Sequence, residues 1–300
     1  KIILKIKLLI ILQKFKIIGH DWAKVLNDFA LKIGFPVLIF SSLCKVPFSF
    51  SSEAGLIISN SLFILTSLLL AYMVGKTLRL QKQMFATLFI SFIFGNVAYL
   101  GIPTLIQITG EKIIPTATLI VAIYLFWIFT VGIGYLDYSV EKNKKNVFKN
   151  IIKNLLTNPL LISVFLGILV GSLNITLPSV LLKSLDMITA SVTPTVLIVI
   201  GLFIGKSNLG KPTEWFPILL FSIVKLAILP AIFYFGVKFS GVSLAQFPSS
   251  IIQAAMPLAI TPFALAEKYN LNKDFIARSI VLSTILSIIS LPFWIALLMI

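Results

Sequence analysis

"FGNVAYLGIPTLIQITG", residues 94–110, decides the fold. It sits in a long apolar run where a membrane span would be unbroken helix. Yet it holds three glycines, an asparagine and a proline. Proline removes a backbone donor and clashes with the preceding turn, so a helix opens there. Backbone groups freed in this way cannot face lipid and must be buried in protein or line a cavity. A second stretch, "QAAMPLAITPFALAEKY" (253–269), has the same character, with Gln253, Pro257, Thr261 and Pro262. Discontinuous helices at matching positions of two halves point to the binding site of a transporter.

The composition agrees with a membrane setting. Hydrophobic residues make up 58% of the chain, charged residues only 12%, and mean hydropathy is +1.06. A soluble chain of this length cannot hide so much apolar surface. Runs of about 20 apolar residues, the length that crosses a bilayer as helix, recur throughout. We read ten spans: 2–14, 26–46, 54–75, 84–108, 113–138, 153–174, 179–205, 214–237, 247–266 and 275–299. The first is the weakest, with Lys5 and Lys7 inside it, so nine spans and an interfacial first helix is the alternative. It is not read as a cleavable signal, because no small-residue cleavage site follows. Opening at Lys1 rather than methionine implies residues upstream.

The formal charge of +15 describes orientation rather than a nucleic-acid partner. Connections after spans 1, 3, 5, 7 and 9 carry 16 of the 25 basic residues. The other connections are nearly neutral. This alternation assigns the basic loops to the cytoplasm and both termini to the outside. The polar linker "DYSVEKNKKNVFKN" (137–150) then divides the chain into five-span halves, 1–148 and 149–300, one inverted relative to the other. Landmarks recur at a near-constant offset: Pro36 and Pro194 are 158 residues apart, Pro103 and Pro262 are 159. Pro103 and Pro262 are therefore expected at helix breaks, within reach of one another's segment. Beside them stand Gly95, Asn96 and Gly101, and Gln253, Pro257 and Thr261. A bare amide buried without a partner costs a few kcal/mol, on the order of 1–3 in proteins, which favours a role for Asn96.

"GNVAYLGIP" and "QAAMPLAITPFALAEKY", with "TPTVLIVIGLFIG" in span 7 and "VLSTILSIISLPFW" in span 10, resemble the auxin efflux carrier family. The resemblance covers nearly the whole chain, and its two crossover motifs are its most specific part. It implies an all-α polytopic fold of ten transmembrane helices, two inverted five-helix repeats with spans 4 and 9 crossing at their broken middles. It also implies a scaffold of spans 1, 2, 6 and 7, a homodimer through spans 2 and 7, and a mobile transport unit of spans 3–5 and 8–10. Asn96 matches the family's crossover asparagine, which contacts the substrate carboxylate in plant members; Pro103 and Pro262 match its crossover prolines. The long cytoplasmic domain of many plant members is absent, and span 3 holds no Asp or Glu. Auxin-like and malate- or malonate-like carboxylates both remain open as substrates.

Charges at membrane depth are few. Lys225 falls in the middle of span 8, where it either pairs with an anionic substrate or holds the crossover through backbone carbonyls; the plainer alternative is a structural cation in a crevice. Asp28 and Lys32, and Lys183 and Asp186, are spaced to pair along one helix face. Glu267 and His20 read as solvated or interfacial residues. A single cysteine and a single histidine leave no metal-ligand cluster, no cofactor is implied, and no catalytic set points to an enzyme. The expected function is an elevator-type secondary transporter of small organic anions in a bacterial inner membrane. Its substrate-binding residues are Asn96, Gly101, Pro103, Gln253, Pro257, Thr261, Pro262 and Lys225. Coupling to protons or sodium is left open. A cation-coupled carrier of related helix-crossing architecture should show acidic residues in the crossover spans, and none lies in 84–110 or 247–266. A membrane sensor that binds the ligand without moving it is the third reading.

Overall fold

The computed structural model describes residues 22–46, 50–140, 145–206 and 214–298. The expected first span and His20 lie outside the described residues. Within them the regular structure is helical, relieved by one isolated antiparallel bridge. Six helices are long and apolar enough to cross a membrane: α1 (Trp22–Leu43), α2 (Glu53–Thr77), α5 (Glu111–Ser139), α8 (Ser179–Ile204), α9 (Trp215–Phe239) and α12 (Lys273–Leu297). Between them lie two shorter apolar helices, α3 (Lys82–Ile93) and α4 (Val97–Thr109). A bent pair, α6 (Val147–Thr157) and α7 (Pro159–Ser172), makes a seventh candidate span. Two short helices, α10 (Pro248–Ala254) and α11 (Thr261–Leu265), complete the chain order before α12.

The 57° bend between α6 and α7 has a local cause. Asn158 leaves helical geometry, and its side-chain oxygen accepts from Leu160 and Leu161 N–H, while Pro159 takes a first-turn position that needs no donor. Three other prolines show how a helix continues through the residue that should break it. Pro36, Pro103 and Pro230 each follow a widened π-turn, Ala30–Gly34, Val97–Gly101 and Val224–Ile228, by two residues. The wider turn makes room for the ring and for the carbonyl that loses its donor. At Pro230 that carbonyl is Leu226 O, and the Trp294 indole N–H donates to it at 2.8 Å. Pro194, by contrast, lies inside an uninterrupted helix.

Packing divides the described chain into two units, each interleaved in sequence. In the first (to Ala54, with Ala98–Ala122 and Leu156–Ser207), α1 packs against α7 and α8. Gly167 and Gly171 let α7 approach closely: a Cβ at Gly171 would stand 2.5 Å from Val46 O and 2.7 Å from Leu43 O. Asp28 and Lys32 pair at 3.2 Å as their spacing suggests. Lys183 does not pair with Asp186. That carboxylate instead takes Lys45 at 2.7 Å and Ser41 at 3.2 Å, because the neighbouring helix brings a shorter path than its own face.

The second unit comprises Gly55–Val97, Ile123–Leu155 and Asn208–Ile300. Here α9 packs on α12 and α10, and α3 on the π-turn Ile128–Gly132 of α5. Its core is aromatic: Phe63 stacks on Phe233 at 5.0 Å, and Phe221 meets Phe92 and Phe275 edge-on.

Candidate functional site

The site begins where α3 stops. Phe94 leaves helical geometry at φ −80°, ψ 73°, and the chain runs extended to Asn96 before α4 starts. Opposite it, the chain between α10 and α11 is open from Ala255 to Ile260. The two open segments cross as a single antiparallel step, with Gly95 facing Leu258. Asn96 N–H donates to Pro257 O at 2.8 Å and Ala259 N–H to Phe94 O at 2.9 Å. Leu258 N–H reaches the Ser283 hydroxyl of α12 at 3.1 Å. Gly95 N–H turns back to Ile93 O, and Pro257 has no N–H to place. The N–H groups of Gly95, Asn96, Met256, Leu258 and Ala259 are thus all met by protein acceptors, as burial away from water demands. Every residue of 91–97 and 251–259 is buried.

Lys225 enters this crossing from the π-turn of α9. It is 2% exposed, and its ammonium donates to Phe92 O at 2.6 Å, one of the orphan carbonyls at the end of α3. A cation here also complements the negative end of that helix. A Cβ at Gly95 would lie 3.8 Å from the Lys225 Nζ and 3.8 Å from Gln253 O, so the ammonium lies against the crossing itself. An ammonium has three donors, and only one is engaged among the described residues. No ion pair to Lys225 occurs among them.

Asn96 is 3% exposed and stands where an N-cap of α4 would be. Its side-chain amide makes no hydrogen bond to another described residue, although its backbone is held. Gln253 is wholly buried at the end of α10, Pro257 lies in the crossing, and Thr261 and Pro262 open α11. The structure therefore gathers Asn96, Gln253, Pro257 and Lys225 in one unit, with Thr261 and Pro262 just beyond. Gly101 and Pro103 belong to the other unit. Pro103 is not at the break: it lies within the first turns of α4, seven residues past Asn96, where its π-turn absorbs it.

Three residues at this unit's core were not singled out from sequence. Asn60 of α2, wholly buried, donates to the Ser250 hydroxyl of α10 at 2.8 Å, and its side-chain oxygen has no partner. Ser283 caps the crossing. Asp137, which the linker reading places in solvent, is 6% exposed and accepts from the Tyr269 hydroxyl at 2.9 Å. Burial, and then that carboxylate, hold the Tyr269 phenol above its ordinary range. A polar residue inside an apolar run was the available signal for Asn60 and Ser283.

Among the described residues no group of His, Cys, Asp and Glu could hold a metal ion. The crossing offers an uncharged amide and one basic side chain, both buried. Apolar helices of spanning length, joined to this crossing of two interrupted ones, define a polytopic integral membrane protein. The model of the membrane transport protein family matches residues 8–295, so the chain belongs to that family, the auxin efflux carriers. It is also 24% identical over 284 residues to an uncharacterized transporter of Methanocaldococcus jannaschii, covering 93% of this chain and 91% of that protein. The family is one of membrane transporters, not enzymes.

Proposed function

We propose that the protein is a secondary carrier of small organic anions, auxin-like or malate- and malonate-like carboxylates, with the carboxylate bound at the crossing. The observation that carries this reading is the pair of buried donor groups there, the Asn96 amide, which bonds no other described residue, and the Lys225 amino group, which bonds only Phe92 O, with no acidic residue in either open segment. The same absence counts against a sodium- or proton-antiporter of similar architecture, which needs carboxylates at its crossing to hold a cation. Ten spans in two inverted repeats, 1–148 and 149–300, place both interrupted helices at equivalent positions. In that scheme the unit carrying the crossing moves as an elevator against the other, which dimerises through spans 2 and 7 in a bacterial inner membrane. The grouping of α1, α7 and α8 in one unit and of α3, α9, α10, α11 and α12 in the other supports this arrangement. The test is a thermal-shift screen of carboxylates on the purified protein, followed by flux of each hit in proteoliposomes with and without imposed ion gradients. Saturable flux of a carboxylate is the expected result; binding without flux would make the protein a membrane sensor.

A further inference from the structure

Charge balance at the crossing bears on which anion the site accepts. Two charged side chains are buried among the described residues, Lys225 and Asp137. Asp137 is engaged by Tyr269, which in turn accepts from Lys268 at 2.8 Å, so it belongs to a separate cluster. That leaves one basic side chain at the crossing and no acidic one. Phe92, Ile93, Phe94 and Val97 on one side of it and Met256 and Leu258 opposite are apolar and buried, and the buried polar side chains among them, Ser91, Gln253 and Ser283, carry no charge. Asn96 adds donors without adding charge. In such a place a single carboxylate would be neutralised by the ammonium, whereas the second charge of a dianion would stay buried and unpaired, which is strongly unfavourable.

We propose that Lys225 is a resident counter-charge that sets the valence of the substrate, so that the carrier accepts monovalent carboxylates and rejects dicarboxylate dianions of the same size. This rests on the anion-carrier reading above and narrows it. Lys225 thereby takes the place that a co-bound cation would otherwise fill, and substrate binding needs no sodium. Its tether to Phe92 O holds the amino group at the end of α3.

The experiment uses the full chain in lipid nanodiscs at pH 7.5 and two matched series. One is malonate, its monoamide and its diamide; the other is indole-3-acetate and its amide. Affinities are read by calorimetry, in sodium and in choline buffer. A monoanion should bind at least about tenfold more tightly than malonate, the cost of leaving one charge unpaired, and equally well in both buffers. Lys225→Met should collapse the preference for a monoanion over its neutral amide, and Lys225→Arg should retain it. A lysine that only supports the fold would weaken anion and amide alike. Malonate binding as tightly as its monoamide, an absolute need for sodium, or an undiminished anion preference in Lys225→Met would each overturn the inference and leave the carrier reading standing. Failure of every carboxylate to bind would overturn both. The wild-type comparison needs no variant, so the inference is decided even if Lys225→Met does not fold.

Discussion

Asn96 is the residue on which the anion site turns. Its backbone is fixed by the bond to Pro257 O, so the side chain is presented without a search over loop conformations. One hydrogen bond from a neutral amide to a charged carboxylate contributes about 1.5–3 kcal/mol. Asn96→Ala should therefore fold and insert, since only an unengaged amide is lost, but bind any carboxylate roughly 10- to 150-fold more weakly. Asn96→Asp should be worse, because it sets a like charge against the substrate. Titrating a transported carboxylate into each variant checks this, and unchanged affinity in Asn96→Ala would remove the residue from the site. At this scale sequence was a good guide to which residues matter and a poor one to their partners. A lone amide and a lone lysine stand out in apolar runs. Phe92 O, which receives the lysine, lies 133 residues away and has no side-chain signature. The same blindness misassigned Asp186, whose partner Lys45 is 141 residues distant while Lys183 merely sits at a helical spacing.

Proline at the scale of the element shows where a sequence rule needs the rest of the structure. The run around Pro103 is an interrupted helix as its residues suggest, but the interruption falls at 94–96, where backbone bonds pass to the opposing segment. Pro103 itself is carried by a π-turn, as are Pro36 and Pro230. Nothing in a local pattern distinguishes a proline that breaks a helix from one that widens it, because the outcome depends on who supplies the missing donor. Pro262 stands just past the open segment 255–260, at the first turn of α11, where no donor is required. Glycine spacing was the signal passed over. Gly167 and Gly171, four apart on α7, form the small-residue face that seats this helix against α1. The obstacles to a side chain at Gly171 are backbone carbonyls of the α1 end, which cannot rotate away. Gly171→Ala should lower stability by about 1–3 kcal/mol through overpacking, seen as a fall in the melting temperature of the detergent-purified protein. Gly236→Ala, where a Cβ meets nothing within 4 Å, is the control expected to leave it unchanged.

The whole molecule raises a question the helices alone do not answer, namely which way round they sit. Hydropathy fixed the chain's class, and charge alternation is what orients it. Lys142, Lys144, Lys145, Lys149 and Lys153 fall in or beside the segment between the halves, while 47–52 carries no basic residue. Holding several lysines on the cytoplasmic side is favoured during insertion, so that the basic connection should be inside and the neutral one outside. These two connections are separated by spans 3, 4 and 5 in the ten-span reading, an odd number, so they must lie on opposite faces. An interrupted helix that turned back instead of crossing would make the number even and place them on the same face. Single cysteines introduced at positions 142–150 and at 48–52, in a Cys44→Ser background, distinguish the cases with a membrane-impermeant maleimide. The expected pattern is labelling of 48–52 in intact cells and of 142–150 only after the membrane is opened. Equal sidedness would mean that α3 and α4 together do not span the bilayer, and the inverted-repeat arrangement would fall with it. Reversed sidedness would keep the repeats and overturn only the orientation drawn from charge.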